Sequence, residues 1–239
     1  LGALLFGHEG DWGPIALGGM TGWYARDLPD IANLSAATRR PSITLLDRAG
    51  GTIATYGDLY GRPIQTGEMP PALVEAVLAT EDRRFFHHFG LDVIGLGRAL
   101  WVNLKSGRIV QGGSTITQQI AKNLFLTPER TLRRKIRESV LSLWLEHRFT
   151  KDQLFTIYIN RVYLGAGTYG VEAAAAKYFN KSARDLSVYE SALIAGLLKA
   201  PSRFAPTRNP ELSQRRTAQV LANMVAAGYL TPDEAENAK

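Results

Sequence analysis

The chain of 239 residues has no cysteine. Disulfides and thiolate metal sites are therefore excluded, while the compartment stays open. Long apolar runs are missing too. No stretch approaches the roughly 18 apolar residues that a membrane-crossing helix requires. Residues 1–6 (LGALLF) are apolar, and they read equally as the trimmed end of a spanning helix or as an ordinary apolar start. There are only 4 histidines. His87 and His88 are adjacent, His8 and His147 are isolated, and neither His-x-x-x-His nor His-Glu-x-x-His spacing occurs, so there is no zinc signal. The absence of Ser-x-x-Lys removes an acyl-serine site, and the absence of Gly-x-Ser-x-Gly removes a nucleophile elbow.

Negative charge is in deficit: 22 acids face 28 Lys and Arg, a formal net charge of +6. Such an excess suits an anionic partner, whether nucleic acid, a phospholipid surface or a phosphate-bearing substrate. No helix-turn-helix or RNA-binding signature supports nucleic acid. With 45% hydrophobic and 21% charged residues the composition is that of a globular chain with one sizeable core.

Residues 1–40 scatter Gly, Pro and Asp without clear periodicity and read as a linker with short helical pieces. Two β-rich runs, 42–47 and 52–56, flank Arg48-Ala49-Gly50-Gly51 and predict a hairpin. Beyond residue 70 the pattern turns helical. Pro70-Pro71 opens a run over 72–80 with Leu73, Val74, Val77 and Leu78 at helical spacing. Residues 91–105 are mostly apolar, with Arg98 the one charge between Asp92 and Lys105. Further helices are predicted over 115–125, 131–149, 151–160, 168–178, 188–198 and 211–227. The sequence thus predicts a mainly α chain with a small N-terminal hairpin.

Three segments carry candidate chemistry. The first, Glu81-Asp82-Arg83-Arg84-Phe85-Phe86-His87-His88, places two acids at a helix C-terminus, where the helix dipole disfavours them. A carboxylate held there against an apolar wall acquires a raised pKa and becomes a useful base; the plainer reading is a solvated helix end with phenylalanines packed beneath. The second, Gln111-Gly112-Gly113-Ser114-Thr115-Ile116-Thr117-Gln118-Gln119, offers hydroxyls that cap a helix whose N-terminus favours an anion, with Lys122 one turn beyond Gln118. It lacks the Gly-Lys-[Ser/Thr] ending of a phosphate loop, and alone it reads as a plain N-capped helix. The third is a basic helix. At about 100° per residue Leu132, Ile136, Val140 and Leu143 form one stripe, and Glu138 lies opposite beside Leu141 and Leu145. This predicts a helix buried on two faces, with Arg134 placed to pair with Glu138.

Together these segments resemble the peptidoglycan glycosyltransferase domain, glycosyltransferase family 51, found alone or as the N-terminal half of bifunctional penicillin-binding proteins. The likeness runs over residues 60–239. It is carried by Glu81-Asp82-x-x-Phe85-x-x-His88-x-Gly90, Gly113-Ser114-Thr115-x-Thr117-Gln118-Gln119, Arg134-Lys135-x-x-Glu138, Tyr158-Ile159-Asn160 with Tyr163-Leu164-Gly165, and Lys199-Ala200-Pro201-Ser202-Arg203 with Pro206. One departure is Thr156, where many members carry glutamate. Residues 1–59 then form a linker and hairpin ahead of the domain.

The resemblance implies a lysozyme-like, mostly α head with a smaller lobe that dips into the membrane through residues 91–105. It implies polymerisation of lipid II onto a growing glycan chain, with Glu81 deprotonating the acceptor 4-hydroxyl. Lys122, Arg130, Arg134 and Lys135 would neutralise the leaving diphosphate. Glu138 would orient that cluster or hold a divalent cation, Mg or Mn. Asp82, Phe85, His88, Ser114, Thr115, Gln118, Gln119 and Asn160 would line the substrate groove; Asn160, Tyr158 and Arg203 also admit a structural role. The implied setting is the outer face of the bacterial cytoplasmic membrane, among other cell-wall synthesis proteins. Two other readings stay open at this point: a glycan-cleaving lytic transglycosylase on a similar fold, and a non-catalytic membrane-binding module.

Overall fold

The computed structural model describes residues 43–48, 52–56, 58–108, 112–126, 129 and 131–239. The predicted hairpin is present: β1 (Ile43–Leu46) and β2 (Thr52–Tyr56) pair antiparallel, with an irregular register at Leu45/Leu46. Its Gly-Gly turn, the linker over 1–40 and the apolar residues 1–6 lie outside the described residues.

The apolar run after residue 70 forms α1 (Pro71–Glu81), with proline at its first position, where no helical N–H is lost. The helix ends because Asp82 turns to φ −158°, although its N–H still reaches Leu78 O. Leu73, Ala76, Val77, Leu78 and Ala79 are buried against α7 (Val188–Leu197) and α9 (Pro210–Ala226). Helix α7 starts with a reciprocal cap, in which Ser187 accepts from Glu190 N–H and Glu190 accepts from Ser187 N–H. Every residue of α7 from Ser191 to Leu197 is buried, so it is the centre of this three-helix group. Fully enclosed leucines such as Leu73 and Leu197 each contribute about 1.5–3 kcal/mol relative to exposure.

A second group consists of α3 (Ile116–Phe125), α4 (Leu132–Arg148) and α5 (Lys151–Arg161), with α3 packed on both of the others. A buried ionic knot ties the three together. Glu146 Oε1 accepts from Thr117 Oγ1 and from Lys151 Nζ, both at 2.6 Å, and Lys151 Nζ sits 4.4 Å above the Phe85 ring. The two-faced burial expected of α4 is not observed. Leu132 is 78% and Ile136 37% exposed, and the buried residues are Glu138, Leu141, Ser142, Leu145 and Glu146. Leu132 and Ile136 face outward, while Val140 and Leu143 farther along the same stripe are half-buried.

Helix α2 (Val93–Ser106) is capped by Asp92, which accepts from Gly95 N–H at 2.9 Å, and ends at Gly107 in the left-handed region. Ala99 is its one buried residue, whereas Val93 is 74% and Trp101 and Leu104 are each 70% exposed. This is the apolar stretch anticipated between the first two segments, and it is not a core helix. Among the described residues no helix is long and apolar enough to cross a membrane.

The helix expected over 168–178 begins late. Thr168–Tyr169 instead forms β4, which pairs in parallel with β3 (Leu59–Tyr60), the Tyr60 and Tyr169 rings stacking at 5.2 Å. Gly170, at φ 80°, then turns the chain into α6 (Val171–Phe179). Short helices α8 (Pro201–Phe204) and α10 (Pro232–Asn237) complete the element order.

A Cβ at Gly170 would lie 2.6 Å from Asn160 O, in a backbone conformation that L side chains rarely adopt. Gly170→Ala is therefore expected to destabilise the fold by more than ~2 kcal/mol in urea unfolding; an unchanged midpoint would contradict this packing.

Candidate active site

Glu81 is the last residue of α1. Its Oε2 accepts from Gln119 Nε2 at 2.8 Å, and Gln119 Oε1 in turn accepts from the buried Tyr158 hydroxyl at 3.2 Å. Glu81 keeps some exposed surface while protein crowds its carboxylate. Burial pushes its pKa up; the Gln119 hydrogen bond and the charges of Arg216 and Lys122 pull the other way, and Asp82 adds to the rise. A carboxyl with a raised pKa, one hydrogen-bond partner and cations nearby is suited to accept a proton.

Asp82 has a different task. It is buried, its Oδ2 accepts from Ile116 N–H at 3.0 Å, and His88 Nε2 lies 3.1 and 3.0 Å from its two oxygens. An anion at the start of α3 is favoured by the free N–H groups there. The expectation that Asp82 and His88 line the groove is thus replaced by one of anchoring, since their contacts join the first segment to the second. Phe85 is fully buried and meets Phe86, His88 and Phe155 at ring distances of 5.2, 6.2 and 6.2 Å. It is a core residue.

The second segment divides in the same way. Thr115 caps α3, accepting from Gln118 N–H at 3.1 Å and donating to Gly90 O at 2.7 Å. Gln118 accepts from Thr115 N–H and donates to Ser139 Oγ at 3.2 Å. Both are buried and bonded within the protein. Ser114 and Gln119, in contrast, reach outward to other charged groups. Lys135 Nζ donates to Ser114 Oγ at 2.9 Å, so residues 114–119 connect Glu81 at one end with the basic cluster at the other.

That cluster centres on Glu138, which is 3% exposed. Its Oε2 accepts from Arg134 at 2.7 Å and its Oε1 accepts from Lys135. Removing one partner of a buried ionic group is costly, so Glu138 holds both cations in place. The donor set does not fit a resident Mg or Mn site, because both carboxylate oxygens are taken by cations. Among the described residues no group of three His, Cys, Asp or Glu is placed to hold a metal ion. Lys122 lies exposed on α3; Arg130 lies outside the described residues.

Asn160 is committed to the backbone. Its Oδ1 accepts from Ile64 N–H at 2.9 Å, and its Nδ2 donates to Ile64 O and Thr156 O at 2.7 and 2.8 Å. Thr156 Oγ1 accepts from Thr66 N–H at 3.3 Å and lies 2.9 Å from Thr66 Oγ1. These two residues strap the chain entering α1 onto α5, so Asn160 is structural. A groove of about 660 Å³ beside Gln65, Thr66, Phe149 and Thr156 contains none of the site residues. Arg216, on α9, was not singled out by the sequence reading. It is 135 positions from Glu81 and belongs to no local pattern with it.

The family model described as transglycosylase matches residues 49–225. Penicillin-binding protein 1A of Aquifex aeolicus (strain VF5) is 46% identical over 213 residues, covering 89% of this chain and 29% of the relative. Penicillin-binding protein 1A of Escherichia coli (strain K12) is 44% identical over 207 residues, covering 87% and 24%. Penicillin-binding protein 1F of Bacillus subtilis (strain 168) is 39% identical over 198 residues, covering 83% and 28%. The chain thus spans less than a third of the length of these relatives. The crystal structure of penicillin-binding protein 1A from Haemophilus influenzae superposes with a TM-score of 0.50 at 23% identity, covering 84% of this chain and 20% of that one, a likeness of fold. The match along most of the chain, together with a mainly helical lysozyme-like architecture, establishes that the chain belongs to the transglycosylase family, the peptidoglycan glycosyltransferase domain of class A penicillin-binding proteins.

Proposed function

We propose that the chain polymerises lipid II into β-1,4-linked glycan, with Glu81 as the base. The observation that supports this most is the pairing of a crowded, Gln119-bonded carboxylate with a separate cation cluster built on Glu138. Glu81 removes the proton of the acceptor 4-hydroxyl, and the resulting oxygen attacks the anomeric carbon of the lipid-linked growing chain. The bond from that carbon to the α-diphosphate breaks, the configuration inverts to β, and the lipid diphosphate departs with the electron pair. The proton remains on Glu81 until solvent removes it. Lys122, Lys135 and Arg134 neutralise the diphosphate, Ser114 places Lys135, and Glu138 orients the two cations without touching substrate. Arg130 completes this set by resemblance.

A lytic transglycosylase would need an acid beside a glycosidic bond and has no use for cations gathered to receive a diphosphate, which favours the polymerising reading. The exposed apolar face of α2, which carries Val93, Leu100, Trp101 and Leu104, suits contact with the membrane surface that carries the lipid-linked substrate. By resemblance, the proposed setting is the outer face of the bacterial cytoplasmic membrane, beside the growing glycan and other cell-wall synthesis proteins.

Incubation with labelled lipid II in detergent is expected to give polymer, and Glu81→Gln to slow it by about 10²–10⁴-fold. Release of muropeptides from sacculi without any polymer would support the lytic reading instead. Because burial raises the Glu81 pKa, the base is still protonated, and inactive, at pH values where an ordinary glutamate near ~4.3 is already ionised. The acidic limb of kcat/KM is therefore expected above that value; a limb at or below it would contradict the burial argument. Replacing Trp101 and Leu104 together by Ser should weaken flotation with anionic liposomes by at least ~10-fold, from ~1.5–3 kcal/mol per buried side chain, and unchanged binding would rule out this face.

A further inference from the structure

One cavity plays no part in the proposed reaction: the groove of about 660 Å³ between α5 and the helical turn Thr66–Glu68. Its volume falls within the ~300–1,000 Å³ of small-ligand sites. Asp152 and Thr156, like Gln153 and Ile157, are four residues apart, so the four share one face of α5 and form one wall. Thr66 and Gly67 stand across from them.

The groove lies behind the candidate active site. Thr156 and Tyr158 are two residues apart on α5, about 200° around the helix. Thr156 lines the groove, whereas the Tyr158 hydroxyl reaches Gln119 and, through it, Glu81. A helix about 10–12 Å across separates the two places.

The lining selects the occupant. Its one charged residue is the exposed Asp152, and among the described residues no Lys or Arg lines it, in a chain of net charge +6. A diphosphate or an anionic headgroup is refused on that ground. Helix faces form the walls, so an extended peptide finds no strand edge to pair with. Phe149 and Ile157 offer partly buried apolar surface, and Gln153 is exposed beside them. Gln153 Oε1 accepts from Thr150 N–H at 2.9 Å, which leaves Nε2 as a donor next to the Asp152 carboxylate as an acceptor. Apolar surface flanked by a donor and an acceptor matches a pyranose, which presents a C–H face and an edge of hydroxyl and acetamido groups.

Thr156 keeps this space open. Its Oγ1 is engaged by Thr66, and Thr66 Oγ1 donates to Asp152 O at 3.2 Å, so both hydroxyls are held against the wall. The glutamate that many family members carry here would extend a longer, anionic side chain from the same wall. At Gly67 an added Cβ would meet nothing within 4 Å.

We propose that this groove is a second saccharide site, which takes N-acetylhexosamine units of a β-1,4 glycan outside the catalytic centre. The choice of that sugar rests on the glycan-polymerising reading.

The test is an amide NMR titration of the chain with chitotetraose, the β-1,4 tetramer of N-acetylglucosamine. The Gly67 backbone amide and the Gln153 side-chain amide are expected to shift and to saturate together. Gly67→Trp fills the space, Thr156→Glu narrows it and Asp152→Ala removes an exposed acceptor; each should weaken binding read at Gln153 by at least ~5-fold. Shifts confined to residues 114–122 would place the sugar in the catalytic groove alone and overturn the proposal. So would unchanged binding at Gln153 in Gly67→Trp and Asp152→Ala that remain folded by thermal melting. The titration needs no turnover. Failure of the polymerising reading would appear separately, as no polymer from labelled lipid II whatever the titration gives.

Discussion

The site depends on one buried interaction, the acceptance of the Ile116 N–H by the Asp82 carboxylate, shared with His88. It joins the end of α1 to the start of α3 in a place that water does not reach. Through it the residue before Asp82 and the residue three beyond Ile116 are brought together, and so Glu81 meets Gln119. The cost of burying Asp82 is offset by three favourable contacts: an N-terminal helix field, a backbone N–H and an imidazole. The buried apolar residues of the two helix groups belong to one core, and this link fixes how their polar ends meet at its edge.

Around this link the charges are arranged in two opposed ways. Glu81 is held where burial raises its pKa and a few cations limit the rise, which is the compromise a base requires: deprotonated in use, yet basic enough to take a proton. Glu138 is bracketed by Arg134 and Lys135, and in the proposed reaction it aligns them. The two glutamates carry similar chemistry and acquire separate roles from their neighbours, with residues 114–119 as the bridge between them.

Much of this was legible in the sequence because it is local. The N-cap at Thr115, the Arg134–Glu138 pair and the helices after residue 70 follow from spacings of three and four residues. What was not legible depends on partners distant in the chain. Periodicity found two apolar faces on α4, but only the position of α3 and α5 determines that Leu132 is exposed and Leu141 covered. Asp82, Phe85 and His88 lie in the motifs that the resemblance assigns to the substrate groove, and only three-dimensional contacts with Ile116 and Phe155 reveal their part in holding the frame; Asn160 takes the structural alternative that the sequence also admits. The helix expected over 168–178 was shortened by a strand partner more than a hundred residues upstream. Arg216 could not have been associated with Glu81 by any spacing rule.

The central claim is that Glu81 serves as a base toward a hydroxyl. The most direct measurement removes the carboxylate and returns one from solution: polymerisation of lipid II by Glu81→Ala in the absence and presence of formate. A base role implies a variant that is nearly silent in plain buffer and regains polymer formation in proportion to added formate, with the β-linked product unchanged. Polymerisation by Glu81→Ala at the parent rate without formate would contradict it.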